Sequence, residues 1–116
     1  REYLDVATSA CQFYIDDLNR ETEKNGYLCF SYTTKDNYII HNASMLASAV
    51  LIRTWYHNHN LEFKKMGINA LNYTMKYQNH DGSWYYGVLP GNKSSKIDNY
   101  HTGFILESLE TIRNYL

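Results

Sequence analysis

The chain lacks the features that mark membrane-spanning and nucleic-acid-binding proteins. Its 116 residues carry 11 Lys and Arg against 12 Asp and Glu, a net charge of −1, so there is no basic surface for nucleic acid. No apolar run approaches the roughly 18 residues that a membrane span requires. The start at Arg1, which has neither an initiator Met nor a signal-peptide pattern, indicates a boundary inside a longer protein, in which a targeting sequence could lie upstream. We therefore expect no nucleic-acid partner, no membrane span and a cytoplasmic location.

Cysteine and metal-ligand patterns are also scarce. Cys11 and Cys29 are the two cysteines, and their spacing is not that of a metal site. Cys11 falls on the apolar stripe of a predicted helix, so we expect buried free thiols. His57 and His59 have no third ligand at a helical spacing, which predicts no metal site. No nucleophile elbow, phosphate loop or dinucleotide fingerprint is present, and we expect no cofactor.

The apolar periodicity predicts four helices. The first ends near Asn19, and the second begins at Asn42, which we expect to be its N-cap. The second is apolar or small on nearly every face, which is typical of an inner helix surrounded by protein. The third runs from about Leu61 to Gln78 as a half-exposed outer helix, and the fourth begins near Asn99. The prediction is an all-α fold of two helical hairpins.

Aromatic and polar segments separate these helices. The chain has 12 Tyr, and two aromatic segments, residues 27–32 and 83–88, follow the turn signals Asn25-Gly26 and Asp81-Gly82. We expect ordered loops that include short strands. Residues 90–95, which contain the single proline, are predicted to be a loop.

The two hairpins repeat one pattern. Residues 25–30 align with residues 81–86 at an offset of 56, and residues 40–42 align with residues 97–99 at an offset of 57. Repeat one spans about 1–58 and repeat two about 59–116. Helical repeats normally need about three units to be stable alone. We therefore expect residues 1–116 to be a single fragment of a larger domain, covered by the remainder of a parent chain or by self-association.

The second repeat resembles a known family. Gln78 followed by Asp81-Gly82-Ser83-Trp84 resembles the QW motif of terpenoid cyclases and related α/α-toroid proteins. Residues 81–87 together with residues 97–103 are similar to bacterial exopolysaccharide-biosynthesis proteins and to the C-terminal helical domain of glucuronyl 5-epimerases. The resemblance implies an incomplete (α/α) toroid, in which the loops entering the inner helices crowd one end.

That arrangement defines the candidate site. Trp84 is expected to pack beside Gln78, and Asn99, like Asn42, is expected to cap its helix. His101 lies in a first helical turn, where we expect a neutral imidazole or a hydrogen-bonded structural histidine. The candidate catalytic residues are Tyr86, Asp98 and His101. The candidate substrate-binding residues are Tyr27, Phe30, Tyr32, His41, Asn42, Trp84, Tyr86, Asp98, Asn99 and His101.

Two functions remain open. The resemblance implies a carbohydrate-binding or carbohydrate-modifying segment of a bacterial polysaccharide-biosynthesis protein, similar to a uronosyl epimerase, with an oligosaccharide or polysaccharide ligand. Such an enzyme removes a proton next to a carboxylate and needs a cation nearby, whereas Arg53 and Arg113 lie deep in predicted helices. The alternative is a non-catalytic helical scaffold, which buried loop aromatics would favour.

Two further classes fit the residues poorly. An isoprenoid cyclase is disfavoured because the chain has no Asp-x-Asp-Asp type motif, and its paired acidic residues Asp16 and Asp17 fall on an outer helix. A δ-aminolevulinate dehydratase resembles a TIM barrel with paired active-site lysines. It is not supported because the sequence has no alternation of strands and helices.

Overall fold

The second helix of the chain lies at the centre of the structure, which is a computed structural model that describes residues 1–89, 92–93 and 96–116. Four helices and five short strands occur in the order α1 (Glu2–Asp16), β1 (Arg20–Thr22), β2 (Leu28–Phe30), β3 (Ile39–Ile40), α2 (His41–Asn58), α3 (Leu61–Lys76), β4 (Gly87–Leu89), β5 (Asn92–Lys93) and α4 (Asn99–Tyr115). The prediction of four helices with short strands in the loops is confirmed.

Helix α2 packs against α1, α3 and α4 because it is rich in small and apolar residues. Its closest approach is to α3, where Ser48 Oγ donates a 2.7 Å hydrogen bond to the Gly67 carbonyl oxygen. A Cβ at Gly67 would lie 2.7 Å from Ile52 Cγ1, so glycine at this position allows the contact. The prediction that α2 is an inner helix is confirmed along most of its length, although Leu46 is half exposed.

Two apolar clusters share α2. The first joins α1, β2 and α3 to one side of α2, and includes Cys11, Leu28, Phe30, Leu51 and Phe63. The second joins α4 to the other side of α2, and includes Met45, Ala49, Ile52, Trp84, Ile105 and Ile112. Cys11 and Cys29 are both buried and unpaired, as the sequence predicts. The helices are therefore held together by burial on both sides of one central helix.

The two glycine turns have the same geometry. Gly26 and Gly82 both adopt a left-handed backbone, with φ of 90° and 89°. In the first turn the Glu23 N–H donates to the Tyr27 carbonyl oxygen at 2.8 Å, and in the second turn the Asn79 N–H donates to the Ser83 carbonyl oxygen at 2.7 Å. The residue before the glycine also accepts a hydrogen bond in each turn. Asn25 Oδ1 accepts the Tyr27 N–H at 2.9 Å, and Asp81 Oδ1 accepts the Ser83 N–H at 3.0 Å. The two segments aligned at an offset of 56 thus form equivalent turns.

The helix caps differ from those expected. Helix α2 begins at His41, so Asn42 is its second residue and not its cap, and Asn42 Oδ1 is buried without a hydrogen bond among the described residues. Helix α4 is capped by Asp98, whose Oδ1 accepts the His101 N–H at 2.9 Å. The predicted Asn99 cap is wrong because Asp98 and Asn99 are both good capping types, and sequence alone does not set a helix end to one residue.

Short antiparallel strands link the loops. Strands β1 and β2 form a hairpin over the first turn, and β1 lies where the sequence predicts no strand. Strand β3 pairs with β4 with Ile40 opposite Gly87, and β4 pairs with β5. A Cβ at Gly87 would overlap the Ile39 carbonyl oxygen. This sheet therefore joins the loop of one repeat to the loop of the other.

Two sequence expectations concern other parts of the chain. The predicted loop at 90–95 falls mostly outside the described residues, which include only Asn92–Lys93 of it, as β5. Within the described part of the chain, no helix has the length and apolar character needed to cross a bilayer.

Two glycine substitutions test the packing of α2 on α3. Gly67→Ala should lower the free energy of unfolding by about 1–2 kcal/mol, because overpacking against Ile52 outweighs the gain in helix propensity. Gly103→Ala is the matched control in α4, where a Cβ meets nothing within 4 Å. It should raise stability by about 0.5–1 kcal/mol. Urea unfolding measures both, and equal effects at the two positions would contradict the close approach.

Candidate functional site

A cavity of about 360 Å³ opens at the N-terminal end of α2, and we call it the His41 cavity. Its walls come from the β1–β2 hairpin, the C-terminal turn of α3 and the segment that leads into β4. The lining residues are Glu21, Glu23, Ile39, His41, Tyr73, Tyr77, Asn79, Tyr85 and Gly87. The pairing of β3 with β4 brings the loops of both repeats to this place.

His41 forms the inner wall of the cavity. Its side chain is 6% exposed, and Nδ1 lies 3.2 Å from Thr74 Oγ1. The imidazole lies 6.1 Å from the rings of both Tyr73 and Tyr77, measured between centroids. Burial lowers the pKa of His41 from 6.5 to about 4, because a charged imidazole would lose its hydration. His41 is therefore a neutral polar group near neutral pH.

A hydrogen-bonded group holds the rim of the cavity. The Tyr77 hydroxyl donates to Glu23 Oε2 at 2.7 Å, and Lys76 Nζ lies 3.0 Å from the same oxygen. The Tyr77 hydrogen bond and the Lys76 contact lower the pKa of Glu23, and Glu23 raises the pKa of both partners. Burial is the main cause that raises the pKa of Tyr73. The first hairpin is thereby fixed to the end of α3.

Sequence reasoning missed most of this cavity. Glu21 and Glu23 lie on and beside the unpredicted strand β1, and Asn79 lies in the second turn. Tyr73 and Tyr77 are four residues apart at the end of α3, so they share one helix face. That spacing is visible in the sequence, but nothing in it shows that the β1–β2 hairpin folds over this face.

A second polar cluster stands at the start of α4. Asp98 Oδ2 lies 2.6 Å from His101 Nδ1, and the rings of Tyr86 and His101 are 4.4 Å apart at an interplanar angle of 62°. A carboxylate only accepts hydrogen bonds, so Nδ1 carries the proton. The His101 backbone and ring hydrogen bonds, with the charge of Lys96, lower the pKa of Asp98. The three candidate catalytic residues are thus brought together.

Two predicted ligand-binding aromatics lie in the core instead. Phe30 is fully buried and packs against Tyr14 at 6.4 Å between ring centroids. Trp84 is 2% exposed, and its Nε1 donates to the Thr74 carbonyl oxygen at 2.8 Å. Gln78 Nε2 donates to the Gly82 carbonyl oxygen beside it, at 2.9 Å. Neither ring has a face that a ligand can stack on, because both complete the apolar clusters around α2.

The other predicted binding residues are dispersed. Tyr27 and Asn42 are partly buried, Asn99 is exposed, and Tyr32 is 57% exposed in the loop after β2. None of them lines the His41 cavity, where His41 is the single predicted residue present. The sequence predicts one shared cleft, whereas the structure has two separate features, the His41 cavity and the cluster at the start of α4.

A larger hollow lies elsewhere. It measures about 570 Å³, and its lining includes Tyr3, Val50, Arg53 and His57 between the start of α1 and the second half of α2. It contains none of the predicted site residues. Its walls are exposed helix faces, with Tyr3 88% exposed, so we assign it to uncovered packing surface.

Among the described residues, the polar side chains of the site do not form a metal-binding cluster. In residues 1–89, 92–93 and 96–116, no group of three or more His, Cys, Asp or Glu side chains is placed to hold a metal ion. Comparisons of the chain with models of protein families, with curated proteins and with solved structures found no match. The cavity and the cluster are therefore the features of the described chain that indicate its chemistry.

The buried state of His41 predicts a pH dependence of stability. The folded protein keeps His41 neutral down to a pH of about 4, whereas the unfolded chain protonates it below 6.5. The stability that neutral His41 contributes is complete above pH 6.5 and is lost as the pH falls toward 4. Between about pH 7.5 and about pH 5 the wild type should lose about 2 kcal/mol more than His41→Gln. Urea unfolding at both pH values measures this.

The matched control is His80→Gln, which removes an exposed histidine from the second turn. It should retain the wild-type pH dependence. The same pH dependence in the wild type and His41→Gln would show that His41 is not held neutral by burial.

Proposed function

We propose that this chain is the carbohydrate-binding segment of a polysaccharide-biosynthesis protein and that a sugar unit of an oligosaccharide occupies the His41 cavity. The observation that carries the proposal is the cavity itself. Its volume of about 360 Å³ lies within the range of about 300–1,000 Å³ typical of small-molecule sites. It also lies where the aromatic loops of both repeats meet.

The lining supplies both kinds of contact that a sugar ring needs. Tyr77 is 42% exposed and Tyr85 is 37% exposed, so their rings offer apolar faces to the C–H side of a pyranose. The Asn79 amide, the Glu21 carboxylate and the neutral His41 imidazole are hydrogen-bonding groups for hydroxyls. This combination of flat apolar faces and convergent polar groups supports a sugar more strongly than a purely apolar ligand.

The proposed setting is an incomplete (α/α) toroid. Support comes from the two equivalent glycine turns and from α2, which packs against the other three helices as an inner helix would. Large side chains are exposed on α1 and α4, including Val6, Phe13, Leu106 and Tyr100, as expected of repeat faces that further hairpins or a second copy would cover. The bacterial polysaccharide-biosynthesis setting, similar to that of a uronosyl epimerase, follows from the resemblance described above.

We further propose a cytoplasmic location. Cys11 and Cys29 are buried as free thiols, and a reducing compartment maintains thiols in that state. The location and the sugar site are independent proposals.

The Asp98–His101–Tyr86 cluster supports a proton-transfer role at the start of α4. Because Nδ1 of His101 donates to Asp98, Nε2 is the nitrogen that accepts a proton from a substrate carbon. The Tyr86 phenol is the second group able to pass a proton. A uronosyl epimerase removes the proton on the carbon next to the carboxylate and returns one from the other face. The positive charge of Lys96 acts on this cluster, where it helps to lower the pKa of Asp98.

The scaffold alternative is favoured by one observation. Phe30 and Trp84, which are both buried, are loop aromatics that pack against helices and offer no surface to a ligand. In a scaffold all loop aromatics would have that role. The exposed rings of Tyr77 and Tyr85 at the cavity argue for the sugar site instead.

Sugar binding is tested by titrating the chain with oligosaccharides while following tyrosine and His41 signals by NMR. Tyr77→Ala should weaken binding about three- to tenfold, because it removes one stacking face. Tyr77→Phe retains the ring and separates stacking from loss of the Glu23 hydrogen bond. Tyr3→Ala, on the far side of the bundle, is the control and should bind as the wild type does. If no oligosaccharide shifts the cavity signals, the scaffold alternative is correct.

Proton transfer is tested by deuterium exchange. In D₂O the wild-type chain should incorporate deuterium at the uronosyl carbon next to the carboxylate, and His101→Gln or Tyr86→Phe should reduce incorporation at least about 100-fold. His57→Gln, at the other end of α2, is the matched control. Wild-type binding without deuterium incorporation would leave the segment as a binding module and remove the catalytic role of the cluster.

A further inference from the structure

The charges that line the His41 cavity are unbalanced. Glu21 and Glu23 are its two carboxylates, and Lys76 pairs with Glu23. Neutral His41 supplies no compensating charge. Among the residues that the structure describes, no cation forms an ion pair with Glu21. The described lining therefore carries a net negative charge, which lies at the exposed Glu21 carboxylate.

The aromatic rings of the cavity also suit a cation. The rings of Tyr73 and Tyr77 lie 4.8 Å apart, and both lie 6.1 Å from His41. The negative face of a tyrosine ring attracts an ammonium group within about 6 Å. Tyr77 already has one such contact, because Lys76 Nζ lies 5.5 Å from its ring centroid. The cavity combines an uncompensated carboxylate with ring faces that attract ammonium groups.

We propose that the His41 cavity selects a ligand that carries a free ammonium group, which in a polysaccharide is a hexosamine unit with an unsubstituted amine. This inference rests on the proposed sugar-binding function and names its substrate class. The ammonium lies against the Glu21 carboxylate while the pyranose ring stacks on tyrosine. An N-acetylated unit lacks the charge, and a uronic acid unit in the same position would bring a further negative charge beside Glu21 and Glu23, which would repel it. The uronosyl unit of the proton-transfer proposal therefore lies at the Asp98–His101–Tyr86 cluster, whose residues do not line the His41 cavity.

The test compares four probes by calorimetry and NMR, at a pH where the amines are protonated. The probes are an oligomer of glucosamine, the same oligomer N-acetylated, an oligomer of glucuronic acid, and ethylammonium as a simple amine. The glucosamine oligomer should bind at least about tenfold more tightly than the acetylated one. Its affinity should fall as salt is added, because salt screens the ammonium–carboxylate attraction. The glucuronic acid oligomer should bind most weakly.

One carboxylate substitution isolates the charge. Glu21 is exposed on β1, so Glu21→Gln removes its charge with little effect on packing. It should weaken binding of the glucosamine oligomer about tenfold, and it should weaken binding of the acetylated oligomer much less, because the Gln amide still hydrogen-bonds to hydroxyls. Glu110→Gln is the matched control, because Glu110 pairs with Arg113 on the surface of α4 and does not line the cavity. It should bind both oligomers as the wild type does.

The outcomes separate this inference from the proposed function. Equal binding of the free and acetylated oligomers, or equal binding by Glu21→Gln and the wild type, would overturn the ammonium site and leave sugar binding in place. Binding of ethylammonium without binding of any sugar would support the ammonium site and overturn the proposed function. Absence of binding by every probe would overturn both.

Discussion

The structure depends on the burial of one helix on three sides. Helix α2 contacts α1, α3 and α4, and both apolar clusters are completed by its residues. Small side chains make this possible, since Ser48 reaches the α3 backbone at 2.7 Å and Gly67 leaves room for Ile52. The N-terminal end of α2 therefore has a fixed position. The loops gathered there can hold polar groups in a defined geometry, although they contribute little apolar burial of their own.

The candidate site is built on that fixed end. His41 is the first residue of α2, so the burial of the helix also removes the imidazole from water and lowers its pKa to about 4. The β1–β2 hairpin is fixed to α3 by the Tyr77 and Lys76 contacts with Glu23, and pairing of β3 with β4 adds the second repeat. The inner wall of the cavity, formed by His41, is thus buried against the helices, whereas Tyr77 and Tyr85 are exposed and accessible to a ligand. This division explains why Phe30 and Trp84 are core residues while Tyr77 and Tyr85 remain exposed.

The sequence predicts the helices of this chain well, and the structure differs from the prediction at particular residues. Helix positions could be predicted because apolar spacing reports one face of a helix directly. The observed N-cap of α4 is Asp98, one residue before the predicted Asn99, because both residue types can accept the free backbone N–H groups at a helix start. Strand β1 was missed because all three of its residues are exposed and carry no alternating pattern. The contact of Glu23, which follows this strand, with Tyr77 and Lys76 at the end of α3 is a long-range contact that no local pattern encodes.

The sequence by itself determined the four helices, the inner character of α2, the two glycine turns and the gathering of polar and aromatic residues in the loops. Each of these follows from local spacing or from the backbone freedom of glycine. Only the tertiary structure decided which aromatics are buried, which carboxylates share a cavity with His41, and that Tyr86, Asp98 and His101 meet. Those outcomes depend on how separate elements pack together, in some cases across more than 50 residues of sequence, as Glu23 and Lys76 do. Such contacts are set by the shape of the whole core.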